Sequence, residues 1–110
     1  MSVLNLNTFD NLKQSAGAEF VNELMDAFFK DFEEQVGHMR NAIHSNDAES
    51  FRRAAHSIKS NALTFGAEEL AALARELETM GRENKLEAGD KLKVLQEAFE
   101  SVKMKLNELR

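Results

Sequence analysis

Residues 51–66 read FRRAAHSIKSNALTFG, and this stretch has the hydrophobic period of an α-helix. At about 100° per residue, one stripe of that helix gathers the apolar side chains that must face a core, namely Phe51, Ala55, Ile58, Ala62 and Phe65. A second stripe, centred about 140° away, gathers His56, Lys59, Ser60 and Leu63. The sequence therefore predicts a helix that buries one side and presents an ionisable ring to solvent on the other.

On either side of this stretch, the chain continues with apolar residues at spacings of three and four. Proline is absent, which favours long uninterrupted helices. We predict helices at residues 8–14, 18–45, 48–65 and 67–81, and a last helix that begins at Leu86 or Asp90 and ends at Leu109. Asn7 or Thr8 is expected to cap the first helix and Asp47 the third, while Gly66 suits the left-handed position after the third helix.

The fold class that follows is all-α. Four long helices joined by short turns must pack antiparallel, so we predict an up-down-up-down antiparallel four-helix bundle with a short additional N-terminal helix. Residues 1–110 contain no linker, repeat or low-complexity segment. A single domain that spans the whole chain is therefore expected.

Composition excludes several classes of function. The 14 Lys and Arg against 19 Asp and Glu give a formal net charge of −5, which argues against a nucleic-acid partner or a polybasic membrane patch. Cysteine is absent, so neither a disulfide framework nor a thiolate metal site is predicted. His38 and His44 match no ligand spacing, so no metal site is expected. Without a visible signal peptide or membrane span, we expect a cytoplasmic protein.

The surroundings of His56 suit phosphoryl transfer better than hydrolysis. A neutral imidazole is a good nucleophile, but a hydrolase also needs a base, an oxyanion hole and a pocket, and none of these is legible. Phosphoryl transfer needs mainly positioning and positive charge. Lys59, one turn along, supplies a cation, and the small Ser60 lets a partner approach the ring.

A docking surface is predicted around the histidine. Leu63 lies one further turn along the helix and is apolar on the side assigned to solvent, as expected for the centre of such a surface. Arg52 and Ser57 belong to the same surface, and Arg52 adds positive charge four residues before the histidine. On the long second helix, Phe20 and Phe29 are expected in the core, with partial exposure near the docking surface as the alternative.

The string His56-Ser57-Ile58-Lys59-Ser60, with a glycine ten residues after the histidine, resembles the His-x-x-Lys-Gly/Ser…Gly signature of histidine-containing phosphotransfer (HPt) domains. Residues 46–55 resemble the entry into that family's histidine helix, and residues 67–78 resemble its next helix. The similarity covers nearly the whole chain and is weakest before Gly17 and after Glu83.

The resemblance implies a carrier in a multistep His–Asp phosphorelay. On that basis, His56 takes a phosphoryl group from the aspartate of one response-regulator receiver domain and passes it to another. Lys59 carries over as the phosphate-facing cation, Ser60 as the small residue beside the ring and Gly66 as the structural turn. No cofactor is implied for this chain, because Mg²⁺ is expected only on the partner receiver domain. A monomer without independent catalytic turnover is expected.

Two residues of the fourth helix carry over less directly. Some members of the family have a glutamine at the place of Glu78 that hydrogen-bonds the histidine, and an arginine at the place of Arg82. Arg82 agrees with that pattern. Glu78 departs from it, and a carboxylate there either orients the imidazole or repels an incoming phosphoryl group. The sequence leaves both interpretations of Glu78 open.

Other functions are compatible with a helical bundle. The chain is alternatively a docking module that binds a receiver domain or a histidine kinase and carries no phosphate itself. For the phosphorelay carrier, a hybrid histidine kinase is a further expected partner. The chain is also comparable to the phosphoacceptor segment of a histidine kinase, but those segments usually place an acidic residue after the histidine, where Ser57 stands here. They also need two chains to supply four helices. The start at Met1 suits a free-standing carrier.

Overall fold

The computed structural model describes residues 3–110, and five α-helices occupy most of that range. They are α1 (Leu6–Ala16), α2 (Ala18–Ser45), α3 (Ala48–Thr64), α4 (Glu68–Arg82) and α5 (Lys91–Glu108). The predicted all-α bundle of four long helices with a short N-terminal helix is confirmed. Of the two predicted starts of the last helix, the one near Asp90 is correct and the one at Leu86 is wrong.

The short helix α1 closes one end of the bundle. Its cap is Asn5, whose Oδ1 accepts a hydrogen bond from the backbone N–H of Thr8 at 3.2 Å. The predicted cap at Asn7 or Thr8 is therefore wrong, because the helix begins two residues earlier than its apolar pattern indicates. The backbone N–H of Asn5 also bonds the carbonyl of Gly66 at 2.8 Å, which ties α1 to the turn after α3.

The turns before and after α3 follow from local sequence. Asp47 caps α3 as predicted, since its carboxylate accepts a hydrogen bond from the backbone N–H of Ser50 at 3.1 Å. Gly66 has φ +81°, the left-handed conformation predicted for it. A Cβ at Gly66 would lie 2.7 Å from the carbonyl oxygen of Asn5, so a side chain there would also displace α1. The ends of α3 are thus fixed on both sides.

One contiguous apolar core lies between the helices, and phenylalanine rings fill its centre. Phe32 of α2 stacks on Phe99 of α5, with ring centroids 3.8 Å apart. Phe28 meets Phe99 edge to face at 5.6 Å and stacks on Phe65 at 5.2 Å. These contacts connect α2, the end of α3 and α5, so the core supports α3 rigidly.

The contact between α3 and α4 is unusually close at Gly81. A Cβ built on Gly81 would lie 2.9 Å from both the backbone nitrogen and the Cβ of Arg52, which no ordinary side chain tolerates. Both helices also bury small residues, and they are Ala55 and Ala62 of α3 and Ala71 and Ala74 of α4. The two backbones therefore approach closely, and a side chain one turn before Gly81 on α4 is brought under α3.

The described residues span about 42 × 26 × 19 Å, the elongated form of a helical bundle. Within residues 3–110, none of the helices combines the length and the hydropathy needed to cross a bilayer.

Candidate functional site

His56 lies in the middle of α3 and projects from it. Its neighbours Ala55 and Ile58 are buried at 0% and 1% exposure, so the rest of the helix is fixed to the core. The imidazole side chain is 55% exposed. The helical period therefore correctly predicts that the ring lies on the solvent side of α3. Burial of the opposite side prevents rotation of α3 about its own axis.

Glu78 of α4 connects His56 and Lys59. One oxygen of its carboxylate, Oε2, lies 2.7 Å from Nδ1 of His56, and the other, Oε1, accepts a hydrogen bond from Nζ of Lys59 at 2.7 Å. Both carboxylate oxygens are therefore engaged by side chains of α3. Of the two interpretations that the sequence left open, the one in which Glu78 orients the imidazole matches this geometry.

The Glu78 carboxylate is almost completely buried, with 4% of its side chain exposed. Burial alone raises the pKa of this carboxyl, but the hydrogen bonds from Lys59 and His56 outweigh burial, so the pKa of Glu78 lies below its usual value. The group is ionised at neutral pH. An ionised carboxylate only accepts hydrogen bonds, so Nδ1 of His56 must donate its N–H to Glu78.

This hydrogen bond fixes the tautomer of the neutral ring. When Nδ1 carries the proton, the lone pair of the imidazole lies on Nε2. Nε2 has no hydrogen-bond partner among the residues that the structure describes. His56 therefore presents a nucleophilic nitrogen on an exposed ring whose orientation is set from behind by a buried carboxylate.

Positive charge surrounds the exposed ring on the side of α4. Lys59 is 19% exposed, and Arg82, at 63% exposure, places its guanidinium 3.8 Å from Oε2 of Glu78. Arg52, one turn before His56, pairs with Glu49 and so contributes less net charge than the sequence indicates. The structure thus brings Lys59 and Arg82 to the histidine, and it places Arg52 at the edge of the same surface.

The predicted docking residues lie on one accessible face. Leu63 is 45% exposed, as expected for an apolar residue on the solvent side of α3. Ser60 is exposed and Ser57 half-buried, and both line a groove between α2 and α3 together with His56. Phe20 is 51% exposed, which agrees with the alternative of partial exposure for that ring. Gly66 is buried in the turn beyond.

Sequence reasoning missed the α2 side of this groove. Asp31 accepts hydrogen bonds from Asn61 of α3 at 3.0 Å and from Gln35 at 3.1 Å. It also missed the close contact at Gly81 that places Glu78 beneath the ring. A usable signal exists for Glu78, because Ala71 lies two turns before it and Gly81 one turn after, and small residues at that spacing indicate a close helix contact.

The other two histidines take no part in the site. His38 and His44 are exposed on α2. In the described part of the chain, no group of three or more His, Cys, Asp or Glu residues is arranged to hold a metal ion.

Comparison with known proteins agrees with this geometry. The family model for the Hpt domain matches residues 23–110. The phosphorelay protein LuxU of Vibrio vulnificus, from strains YJ016 and CMCP6, is 29% identical over 83 residues, which cover 76% of this chain and 72% of LuxU. The crystal structure of histidine-containing phosphotransfer protein B (HptB) from Pseudomonas aeruginosa PAO1 superposes with a TM-score of 0.88 at 27% identity, over 96% of this chain and 92% of that one.

The matched residues include the whole of α3, α4 and α5 and most of α2. The chain therefore belongs to the Hpt domain family, as the histidine signature predicts. Its function is that of a histidine phosphotransfer carrier.

Proposed function

We propose that His56 is the phosphoacceptor and that the phosphoryl group is carried on Nε2. The observation that supports this most directly is the exposed ring whose Nδ1 is bonded at 2.7 Å to the buried Glu78. That bond leaves Nε2 as the ring nitrogen with an available lone pair. His38 and His44 also lie on the surface, but neither hydrogen-bonds a buried carboxylate within the described residues.

The transfer step balances without an acid or base from this chain. The lone pair of Nε2 forms the N–P bond while the bond between phosphorus and the donor aspartate breaks, and the electron pair of that bond returns to the aspartate carboxylate. The proton stays on Nδ1, where Glu78 accepts its hydrogen bond. Glu78 therefore stabilises the positive charge that develops on the ring as Nε2 attacks.

Lys59 is proposed as the cation that meets the phosphoryl oxygens. Its ammonium has three donors, and only one is needed for the bond to Oε1 of Glu78. Lys59 can therefore donate to a phosphoryl group on His56 while it remains bonded to Glu78. Arg82, exposed at the same edge, adds a second cation, and Ser60 leaves room for the partner to reach Nε2.

The proposed partners are response-regulator receiver domains, and a hybrid histidine kinase if its receiver domain is the donor. LuxU is described as a phosphorelay protein, which supports the same role here. Each partner supplies the aspartate and the Mg²⁺, and this chain needs no cofactor of its own and has no independent turnover. We further propose a cytoplasmic monomer that folds as a single domain; sedimentation equilibrium should give the mass of one chain.

The decisive experiment is transfer of label from phosphorylated receiver domains. We expect an acid-labile phosphoryl group to appear on the wild-type chain and to be absent from His56→Gln. The matched controls are His38→Gln and His44→Gln, which remove exposed histidines from α2 and should accept label normally. Label on His56→Gln, or no label on the wild type across a broad panel of receivers, would overturn the proposal.

The same variant separates a carrier from a docking module. If the chain were a docking module that carries no phosphate, the His56→Gln variant would still signal normally. The carrier proposed here should lose signalling in that variant while it still binds receiver domains.

A further inference from the structure

The groove between α2 and α3 has two chemically different ends. Its floor is the buried pair Phe28 and Phe65, and His56 lines it from the α3 side. Toward the start of α2, Leu24 and Ala27 line the groove, and the exposed Phe20 continues this apolar surface one turn earlier. Toward the middle of α2, the wall becomes acidic.

The acidic wall consists of Asp31 and Glu34. Both of these residues line the groove that contains His56. Asp31 is held in place by its bonds to Asn61 and Gln35. Glu34 is exposed and has neither a hydrogen bond nor an ion pair within residues 3–110, so its charge is available to a partner.

Lys30 also lines the groove but does not neutralise this wall. It is one turn from Glu34, yet the structure describes no ion pair between them. Two carboxylates against one ammonium leave the α2 wall with a net negative charge. On the other side of the ring, the half-buried Lys59 and the exposed Arg82 both lie within 4 Å of Glu78, the carboxylate that bonds His56. The surface around His56 therefore has opposite charges on its two sides, negative toward α2 and positive toward α4.

This polarity restricts how a partner can dock. A receiver domain brings a phosphorylated aspartate and the carboxylates that hold Mg²⁺, which are all acidic. Lys59 and Arg82 attract that acidic site, and the carboxylates of Asp31 and Glu34 repel it. A receiver domain without positive charge opposite the α2 wall would bring its carboxylates close to Glu34. A receiver domain that places a cation there avoids this repulsion.

We propose that the receiver domain served by this chain carries a lysine or arginine on its docking face, apart from the residues of its phosphoaspartate site, and that this cation pairs with Glu34 and Asp31. This inference rests on the proposed phosphotransfer at His56. Asn61, which bonds Asp31, lies five residues from His56, or about 8 Å along the helix, and packed helices are about 8–10 Å apart. The partner's cation should therefore lie about 11–13 Å from its phosphoaspartate, and its presence distinguishes cognate from other receivers.

The test reverses the charge of Glu34. Glu34→Lys should lower the second-order rate constant for transfer from a cognate receiver about tenfold at low salt, because like charges now oppose docking. Glu34→Gln should show a smaller decrease. High salt should reduce the difference in this rate constant between the wild type and Glu34→Lys, since added ions screen exposed charges. The rate at saturating receiver should change little, because Glu34 does not contact the reacting atoms.

The matched control is Glu100→Lys, the same charge change at an exposed residue of α5 outside this groove. It should leave the rate constant unchanged. Replacing the partner's cation with glutamate should restore transfer to Glu34→Lys, which a loss of folding in the variant would not allow.

The outcomes separate this inference from the proposal on which it rests. Normal label on the wild type with an equal rate constant for Glu34→Lys, across every receiver that reacts, would overturn the docking inference and leave His56 as phosphoacceptor. A wild type that no receiver labels would overturn both.

Discussion

The two sides of α3 are built differently, although both border His56. Toward α4 the contact is closed, because Gly81 brings the backbones together and the buried Glu78 bonds two side chains of α3. Toward α2 a groove remains open, and the bond between Asn61 and Asp31 crosses it. The two neighbouring helices therefore have different roles. Helix α4 fixes Nδ1 of His56, and α2 leaves room for a partner.

The largest change should come from breaking the closed side at Lys59. Lys59→Met removes the ammonium from Oε1 of Glu78 and leaves a buried carboxylate with His56 as its closest remaining partner. We expect the free energy of unfolding at neutral pH to fall by about 3 kcal/mol, the low end for a broken buried pair, because His56 still donates. Urea unfolding measures this.

The double variant Lys59→Met with Glu78→Gln is the control, because it removes the stranded charge. It should recover most of the lost stability. A Lys59→Met protein as stable as the wild type would show that the closed side does not depend on this ion pair.

The next largest effect should come from Gly81→Ala. A single added Cβ meets the backbone of Arg52 at 2.9 Å, so α3 and α4 must separate slightly. Overpacking of this kind costs about 1–3 kcal/mol, and the better helix propensity of alanine returns up to about 1 kcal/mol. We expect a net loss of about 1–2 kcal/mol, and slower phosphotransfer because Glu78 moves away from His56.

Gly37→Ala provides the comparison for Gly81→Ala, since Gly37 is also a helical glycine but has nothing within 4 Å of the added Cβ. That variant should be more stable than the wild type by up to about 1 kcal/mol. If both substitutions stabilise the protein equally, the close approach of α3 and α4 is not a constraint on the sequence.

The exposed face of α3 was easier to predict from sequence than the contacts that α3 makes with α2 and α4. Exposure of His56 and Leu63 follows from the period of α3 alone, because a stripe of buried residues determines the opposite stripe. The bounds of α2, Ala18–Ser45, follow in the same way from its apolar residues and from the turns that flank it. Patterns within one helix therefore predicted the fold and the face of the site.

Burial of Glu78 depends on two helices at once, so the small residues of α4 indicate a close helix contact but not which side chain that contact encloses. A carboxylate is normally placed on the solvent side, and here the small residues of α3 and Gly81 bring α4 close enough to enclose it. The hydrogen bonds from His56 and Lys59 then make the buried charge stable. The role of Glu78 remained open in the sequence because its two partners are known only after packing.

A smaller effect on the closed side should appear as a dependence on pH. The hydrogen bonds from Lys59 and His56 hold the pKa of Glu78 below its usual value, despite burial. The ionised form therefore contributes stability above the unfolded pKa of about 4.3, and this contribution is lost as the pH falls through the lower folded pKa. Glu78→Gln lacks this contribution.

The measurement is the difference in unfolding free energy between the wild type and Glu78→Gln from pH 7 to pH 3. We expect the wild type to lose its relative stability only at the acidic end, because the other carboxyl groups titrate in both proteins and cancel in the difference. A difference that stays constant down to pH 3 would contradict the depressed pKa of Glu78.

The smallest effect should come from the bond that crosses the open side. Asn61→Ala removes the hydrogen bond to Asp31, but Gln35 still donates to Asp31, and the half-buried position admits water. We expect a loss of about 1 kcal/mol, the usual worth of one such hydrogen bond. Asn41→Ala, at an exposed helical position on α2, should be neutral or slightly stabilising and isolates the contribution of the bond from that of helix propensity. Asn61→Ala could instead lower the free energy of unfolding as much as Lys59→Met does. In that case the contact between α2 and α3 would be as rigid as the contact between α3 and α4. A partner would then have to fit into the groove as it stands, without movement of α2.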